Sequence, residues 1–215
     1  MLNSLNGKND YRIYSVTDEE FSSFGRIISN IDATEIIAVA KTIETPSDGS
    51  RYVASEPKFE ALEIKQIIED NIFGTLPMQT GYCWGHSNFL NAAEWHTSSE
   101  VNIAVTDLVL FLGHVYDIRD GKIDSSAFKA FYVPAGTVIE VYATSLHFCP
   151  CEVSKTGFGC VVCLPAGTNT DLEKSVEGGL LFRKNKWIVC HNDNEALVAR
   201  GVLRGISGTN YELKY

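Results

Sequence analysis

Glu94, His96 and Glu100 stand at even spacings within NAAEWHTSSEVN. Carboxylate and imidazole are the donor types that hold a divalent cation such as Zn, Mn, Fe or Ni. In an extended strand, side chains two apart point to one face. Glu94 and His96 therefore share a face, and Glu100 stays on it along a continued strand or returns to it across a tight TSS turn. A solvated strand edge would leave the same acids in water with no ion to hold. The two readings separate on whether another donor arrives from a distant strand. VPAGTVIEVYATSLHFCP offers His147, set between Leu146 and Phe148, where it reads as that donor or as a hydrogen-bonded core histidine.

The remaining candidates are weaker. His191 ends the apolar WIVC run and counts as a pocket residue or a strand end. His86 in WGHSN reads as a turn or strand edge, and His114 in LGHVYD as structural. Cys149 and Cys151 form C-P-C, and Cys160 and Cys163 form C-V-V-C, so four thiolates for zinc come to mind. CVVCLP reads as a strand, however, where residues three apart face opposite ways, so buried reduced thiols are the better account.

The elements that must position these groups change character along the chain. Residues 1–77 form an α-rich portion. VTDEEFSSFGRIISNI has Thr17 and Glu20 at capping-box spacing and Phe21, Phe24, Ile27, Ile28 and Ile31 at helical spacing, predicting a helix. TEIIAVAKTI predicts a strand, and EPKFEALEIKQIIEDNIFG a second helix that stops at Gly74. Residues 78–215 carry many short β-prone runs separated by turn residues, the pattern of a sandwich or barrel. PAGT occurs at 134–137 and 165–168 with unlike flanks, a recurring turn rather than a repeat.

The bulk numbers fit one domain with a sizeable core: 215 residues, 45% hydrophobic and 21% charged. The net charge of −9, from 18 basic and 27 acidic side chains, repels phosphate backbones and argues against nucleic acid. The densest basic spot, Lys184 to Lys186 after Arg183, reads as a hairpin turn, or as the seat of a small anionic substrate. No run approaches the roughly 18 apolar residues of a membrane span. MLNSLNGKNDYRIYSV lacks a basic head and apolar block, so a cytoplasmic protein is expected.

Glu94-Trp95-His96, three spacer residues and Glu100, followed by Pro134-Ala135-Gly136, resemble the two motifs of the cupin superfamily. Glu94 stands where the first motif usually has a His, Asp107 where it has a Gly, and Ile139 where the second motif has its His, with His147 eight residues later. LFLGHVYDI, VPAGTVIEVYATSLHFCPC and NKWIVCH are similar to a bacterial family of cupin-like proteins of this length. The resemblance implies a mostly β (α+β) fold, a jelly-roll barrel with an α-containing N-terminal portion. It also implies a divalent metal ion held by Glu94, His96, Glu100 and His147, and pairing into a homodimer.

By the same resemblance the protein acts on a small carbohydrate or hydroxy-carbonyl compound as an isomerase, epimerase or lyase. Glu140 is then the catalytic base, and Tyr132, Tyr142, Lys129 and His191 contact the substrate. The alternative is a non-catalytic module that binds a sugar or metabolite. An iron-dependent dioxygenase, a third reading, would call for more histidine ligands than this chain offers.

Overall fold

The longest strands are apolar on both faces and therefore need cover on both. In the computed structural model, which describes residues 1–174 and 179–215, the N-terminal portion supplies one of those covers. It runs through α1 (Leu2–Asn6), β1 (Ile13–Ser15), β2 (Gly25–Ile27), α2 (Thr34–Ala40), β3 (Ser50–Val53), α3 (Pro57–Glu60) and α4 (Glu63–Asn71). The barrel strands follow: β4 (Met78–Gly85), β5 (Ala92–Trp95), β6 (Glu100–Ala104), β7 (Leu108–His114), β8 (Ile123–Asp124), β9 (Lys129–Val133), β10 (Val138–Val141), β11 (Ser145–Leu146), β12 (Cys151–Glu152) and β13 (Phe158–Pro165). The chain closes with β14 (Leu181–Arg183), β15 (Lys186–His191), α5 (Glu195–Ala199) and β16 (Leu203–Ser207).

One sheet has the order β2-β10-β6-β13-β4-β3. The sheet facing it has the order β1-β9-β7, with β11 and β12 both on the free side of β7. Beyond β11 comes β5, joined to it through a bridge between Glu94 and His147. Strands distant in sequence thus alternate across two facing sheets, β10-β6-β13-β4 against β9-β7-β11-β5, which is the double Greek key of a jelly roll. A jelly-roll barrel is the fold that the cupin resemblance implied. Alternation along each strand sends one set of apolar side chains inward, including Leu110, Phe131, Ile139, Val141 and Val162. The other set, Val101, Ile103 and Val161, packs under Ile36, Phe59 and Ile68 of the helices. A third sheet, β14-β15-β16-β8 with β5 on β15, covers the outside of the second barrel sheet through Val189 and Ile206 against Val109 and Phe111. Cys160 faces the barrel interior and Cys163 the helices, as a three-residue step along a strand requires. Among the described residues, no helix is long and apolar enough to cross a membrane.

The N-terminal portion departs from its sequence pattern in three places. The predicted helix over 16–31 is a single 3-10 turn, Glu19–Ser23, followed by β2. Phe21 and Phe24 enter the barrel, with ring centroids 5.4 and 5.2 Å from Phe131, while Ile28 packs beneath the helices. Their helical spacing serves two separate cores. Gly25 makes the switch possible, since a Cβ there would come within 2.2 Å of the Glu140 carbonyl oxygen. TEIIAVAKTI, predicted as a strand, forms α2 instead. Ile36 and Ala40, four apart, are its buried pair, and a short apolar run does not by itself choose between the two periods. The second predicted helix is divided into α3 and α4, because Leu62 is extended between them.

Phe131 is fully buried where three other rings meet it. Replacing it with Ala should lower unfolding free energy by about 3–5 kcal/mol, read from the shift in urea midpoint.

Candidate metal centre

The turn that carries the chain from β5 to β6 in the facing sheet and the end of β11 bring the four sequence-predicted donors together. Glu94 sits on β5, His96 just past its end, and Glu100 opens β6 after the turn. His147 follows β11. Its backbone N–H donates to the Glu94 carbonyl at 3.0 Å, and the Glu94 N–H donates back at 2.7 Å. That reciprocal pair fixes the two residues opposite one another. The register of the β11–β12 segment on β7 slips by one residue between Leu146 and Cys151, a bulge around His147 and Pro150. Bulges re-aim side chains, and Pro150 has no N–H to complete the ladder.

The route to His147 differs from the one its sequence implied. The Pro134–Gly136 turn, with Gly136 at φ +85°, carries the chain from β9 across to β10 in the facing sheet. Ile139 then lies in the barrel core with no exposure. The chain reverses once more after β10, where the Ser145 N–H donates to the Tyr142 carbonyl, before His147 is reached. Ile139 and His147 therefore belong to successive strands, not to one continuous strand.

All four donors are buried, at 9% exposure for Glu94, 2% for His96 and 5% for both Glu100 and His147. Glu100 Oε2 lies 3.3 Å from His147 Nε2 and 3.5 Å from His96 Nε2. Glu94 Oε1 lies 3.9 Å from each of the same two nitrogens. Donors around a single zinc-sized ion, bonded at 2.0–2.2 Å, sit roughly 3.0–3.5 Å apart. The observed separations are of that size or slightly wider, and Glu94, His96 and His147 each offer a ligand atom within 4.8 Å of the others.

The hydrogen bonds behind the donors point the same way. His96 Nδ1 lies 2.6 Å from the Asn185 carbonyl oxygen, and His147 Nδ1 lies 3.3 Å from that of Ser145. A carbonyl only accepts, so each Nδ1 carries a proton and each ring turns its Nε2 to the cluster. Both Nε2 atoms are buried without a hydrogen-bond partner. Asn102 Nδ2 donates to Glu100 Oε1 at 2.7 Å, leaving Oε2 for the cluster. The Lys186 ammonium is ion-paired with Glu94 Oε2. Burial pushes the Glu100 carboxyl up, but the two imidazoles more than offset this and hold it well below the usual range. Burial pushes His147 down, and the Glu100 and Glu94 carboxylates bring it above its ordinary value. Two carboxylates and two orphaned imidazole nitrogens form a set that fits a divalent cation, with mixed N and O donors suited to Zn, Mn, Fe or Ni.

The cluster forms the floor of a cavity walled by Tyr52, Leu110, Phe148, Cys149, Val162 and Asn169. The other predicted residues lie elsewhere. Glu140 alternates with Ile139 and Val141, so it points away from the barrel interior and is ion-paired with Arg26 Nε at 2.7 Å. It cannot reach the cavity as a base. Tyr132 faces the outside of its sheet, its hydroxyl donating to Asp107 Oδ2 at 2.7 Å. Lys129 is exposed at the end of β9, 5.5 Å from the Tyr14 ring. Tyr142 lies in the reversal after β10, its N–H donating to the Phe24 carbonyl. His191 is a satisfied core histidine: Nδ1 accepts from the Asp193 N–H, and Nε2 lies 3.1 Å from the Gly208 carbonyl. None of these four lines the cavity over the cluster.

Sequence reasoning missed Asn102, Asn185 and Lys186 as partners of the donors. Asn102 is two residues past Glu100 and could have been found by strand alternation. Lys186 and Asn185 arrive only because β15 pairs with β5, Trp187 opposite Trp95, a pairing that no local signal encodes.

A family model described as "Domain of unknown function (DUF4867)" matches residues 13–211. No curated protein matches the chain. Among solved structures, an oxalate decarboxylase is similar at 10% identity and a TM-score of 0.37, over 59% of this chain and 28% of its own. A mutant of the Bacillus subtilis oxalate decarboxylase is similar at 9% identity and 0.34, over 59% and 28%. An oxalate oxidase in complex with the substrate analogue glycolate is similar at 16% identity and 0.36, over 59% and 57%. The chain thus spans 28% of the length of either decarboxylase. The barrel assignment rests on the strand order described above.

Chelator-stripped protein reloaded with Zn or Mn should retain close to one ion per chain by elemental analysis, and His147→Ala should fall to background. Asn102→Ala, which keeps every donor but frees Glu100 to rotate, should weaken metal affinity by about tenfold to a hundredfold in a chelator competition.

Proposed function

The chain belongs to the DUF4867 family, and we propose that it is a metal-dependent enzyme moving protons on a small hydroxy-carbonyl compound of carbohydrate type. The observation that carries this reading is the pair of buried imidazole nitrogens, unpartnered and facing two carboxylates, at the floor of a cavity. When bound, a divalent ion at Glu94, His96, Glu100 and His147 supplies a Lewis acid that polarises a carbonyl and acidifies the adjoining C–H.

The residues around it divide the remaining work. Asn185, Ser145 and Asn102 hold the donors in fixed orientation. Tyr52, whose hydroxyl accepts from Asn169 at 2.9 Å, offers a hydroxyl proton to a substrate oxygen. Leu110, Val162 and Phe148 exclude water from the inner end. With Glu140 on the other face, the acid–base couple of the cavity is Glu94 and Lys186. The carboxylate accepts a proton and the ammonium holds one beside the oxygen where charge develops. Isomerisation, epimerisation and elimination all begin with that proton movement.

The tether of Glu140 to Arg26 also favours a second reading, a non-catalytic module that binds a sugar or metabolite. Lys186→Met separates the two. For an enzyme, metal content stays near wild type while aldose–ketose interconversion, or deuterium uptake from solvent next to the carbonyl, falls about 10²- to 10⁴-fold. Stabilisation by sugars in a thermal-shift screen, with no exchange or turnover by metal-loaded wild type across Zn, Mn, Fe and Ni, would establish the binding module instead.

A further inference from the structure

The cavity over the cluster continues outward into a wider cleft that shares Tyr52, Glu94, Phe148, Cys149 and Asn169 with it. Four cations from three parts of the chain line that cleft: Arg51 on β3, Arg183 and Lys186 on either side of the β14–β15 turn, and Arg200 just past α5. The one carboxylate in the lining is Glu94, which Lys186 already neutralises. Arg183 Nε lies 3.3 Å from Asp171 Oδ1, but that carboxylate side chain is 93% exposed, so water screens the pair. Arg51 and Arg200 have no ion-pair partner among the described residues.

This arrangement runs against the charge of the whole chain. A protein of net charge −9 places four of its 18 basic side chains around one opening. Cations gathered at a concave, low-dielectric surface focus the field outward and draw anions in. Three of the four are arginines, whose planar fork matches the paired oxygens of a carboxylate or phosphate. The Arg183 guanidinium lies over the Phe182 ring, 4.5 Å from its centroid, and Arg183 Nη1 donates to the Phe182 carbonyl, so this fork is already oriented.

We infer that the cleft seats an anionic group, so that the substrate is a hydroxy-carbonyl compound bearing a phosphate or a carboxylate. Arg51, Arg183 and Arg200 hold the charged end, and the uncharged oxygens reach inward to the cluster. The hydroxy-carbonyl half rests on the function proposed above; the anion seat rests on the arginines.

The test is calorimetric titration of the chelator-stripped full chain with inorganic phosphate and with acetate, using sorbitol as the uncharged probe. The expected result is saturable binding of at least one anion that weakens as NaCl rises, and no saturable heat with sorbitol. The Arg51→Ala/Arg200→Ala double variant changes two exposed residues away from the four donors. It should bind that anion roughly tenfold to a hundredfold more weakly while taking up metal like wild type. Tighter binding of phosphate assigns a phosphate-bearing substrate, and tighter binding of acetate a carboxylate-bearing one. No saturable binding of either anion, or equal affinity in the double variant, overturns the inference. A chain that takes up no metal yet binds an anion through the arginines removes the catalytic reading and leaves the anion seat standing.

Discussion

Two carboxylates and two imidazoles buried together require a positive charge among them. An isolated buried carboxylate is costly in a medium of low polarity, and two a few ångströms apart repel as well. In the chain itself that charge comes from Lys186 on Glu94 and from the raised proton affinity of His147 beside Glu100. A proton on His147 takes the same Nε2 lone pair that a metal ion would take, and the His96 Nε2 lone pair is left without a hydrogen-bond partner. A divalent cation would replace that proton and engage both nitrogens and both carboxylates at once.

Much of the architecture follows from holding those donors still. The reciprocal backbone pair between Glu94 and His147 is also the link that joins β5 to the rest of its sheet, so barrel closure and donor placement are one event. The third sheet adds the other restraint. By pairing β15 with β5 it brings the Asn185 carbonyl under His96 and the Lys186 ammonium onto Glu94. A jelly roll without this addition would leave one imidazole free to spin and one carboxylate without its counter-charge. The helices of the N-terminal portion do quieter work. They cover the apolar outer face of the larger sheet, and β3, which joins that sheet at its edge, carries Tyr52 and Arg51 to the cleft.

What the sequence disclosed, it disclosed through local periodicity. Glu94, His96 and Glu100 could be placed on one side because strand alternation and a turn are short-range features, and the cysteines of CVVC could be assigned to opposite faces for the same reason. The KNK turn was legible too, closing β14 onto β15 with Asn185 at φ 54°. Longer-range facts were not. The Phe21, Phe24 and Ile28 spacing matches a helix, yet these side chains are divided between the barrel and the helical layer, a division that only the finished fold defines. Ile36 and Ala40 satisfy a helix inside a run equally rich in strand formers. Glu140 fails as a base through a single step of alternation: its neighbour Ile139 points inward, so it points out.

The same distinction applies to charge. Net composition places the chain firmly among acidic proteins, and from that number the sensible expectation is a surface that repels anions. Where the charges sit is a tertiary property. Arg51, the Arg183–Lys186 hairpin turn and Arg200 lie far apart in sequence, and only the pairing of β3 with β4 and of β15 with β5 brings them to one rim. An acidic exterior around a basic mouth makes that mouth the favoured place for a small anion to approach. In the proposed function the two halves of the cleft divide recognition from chemistry, the arginines acting on the charged end of a ligand and the buried donors on its oxygens.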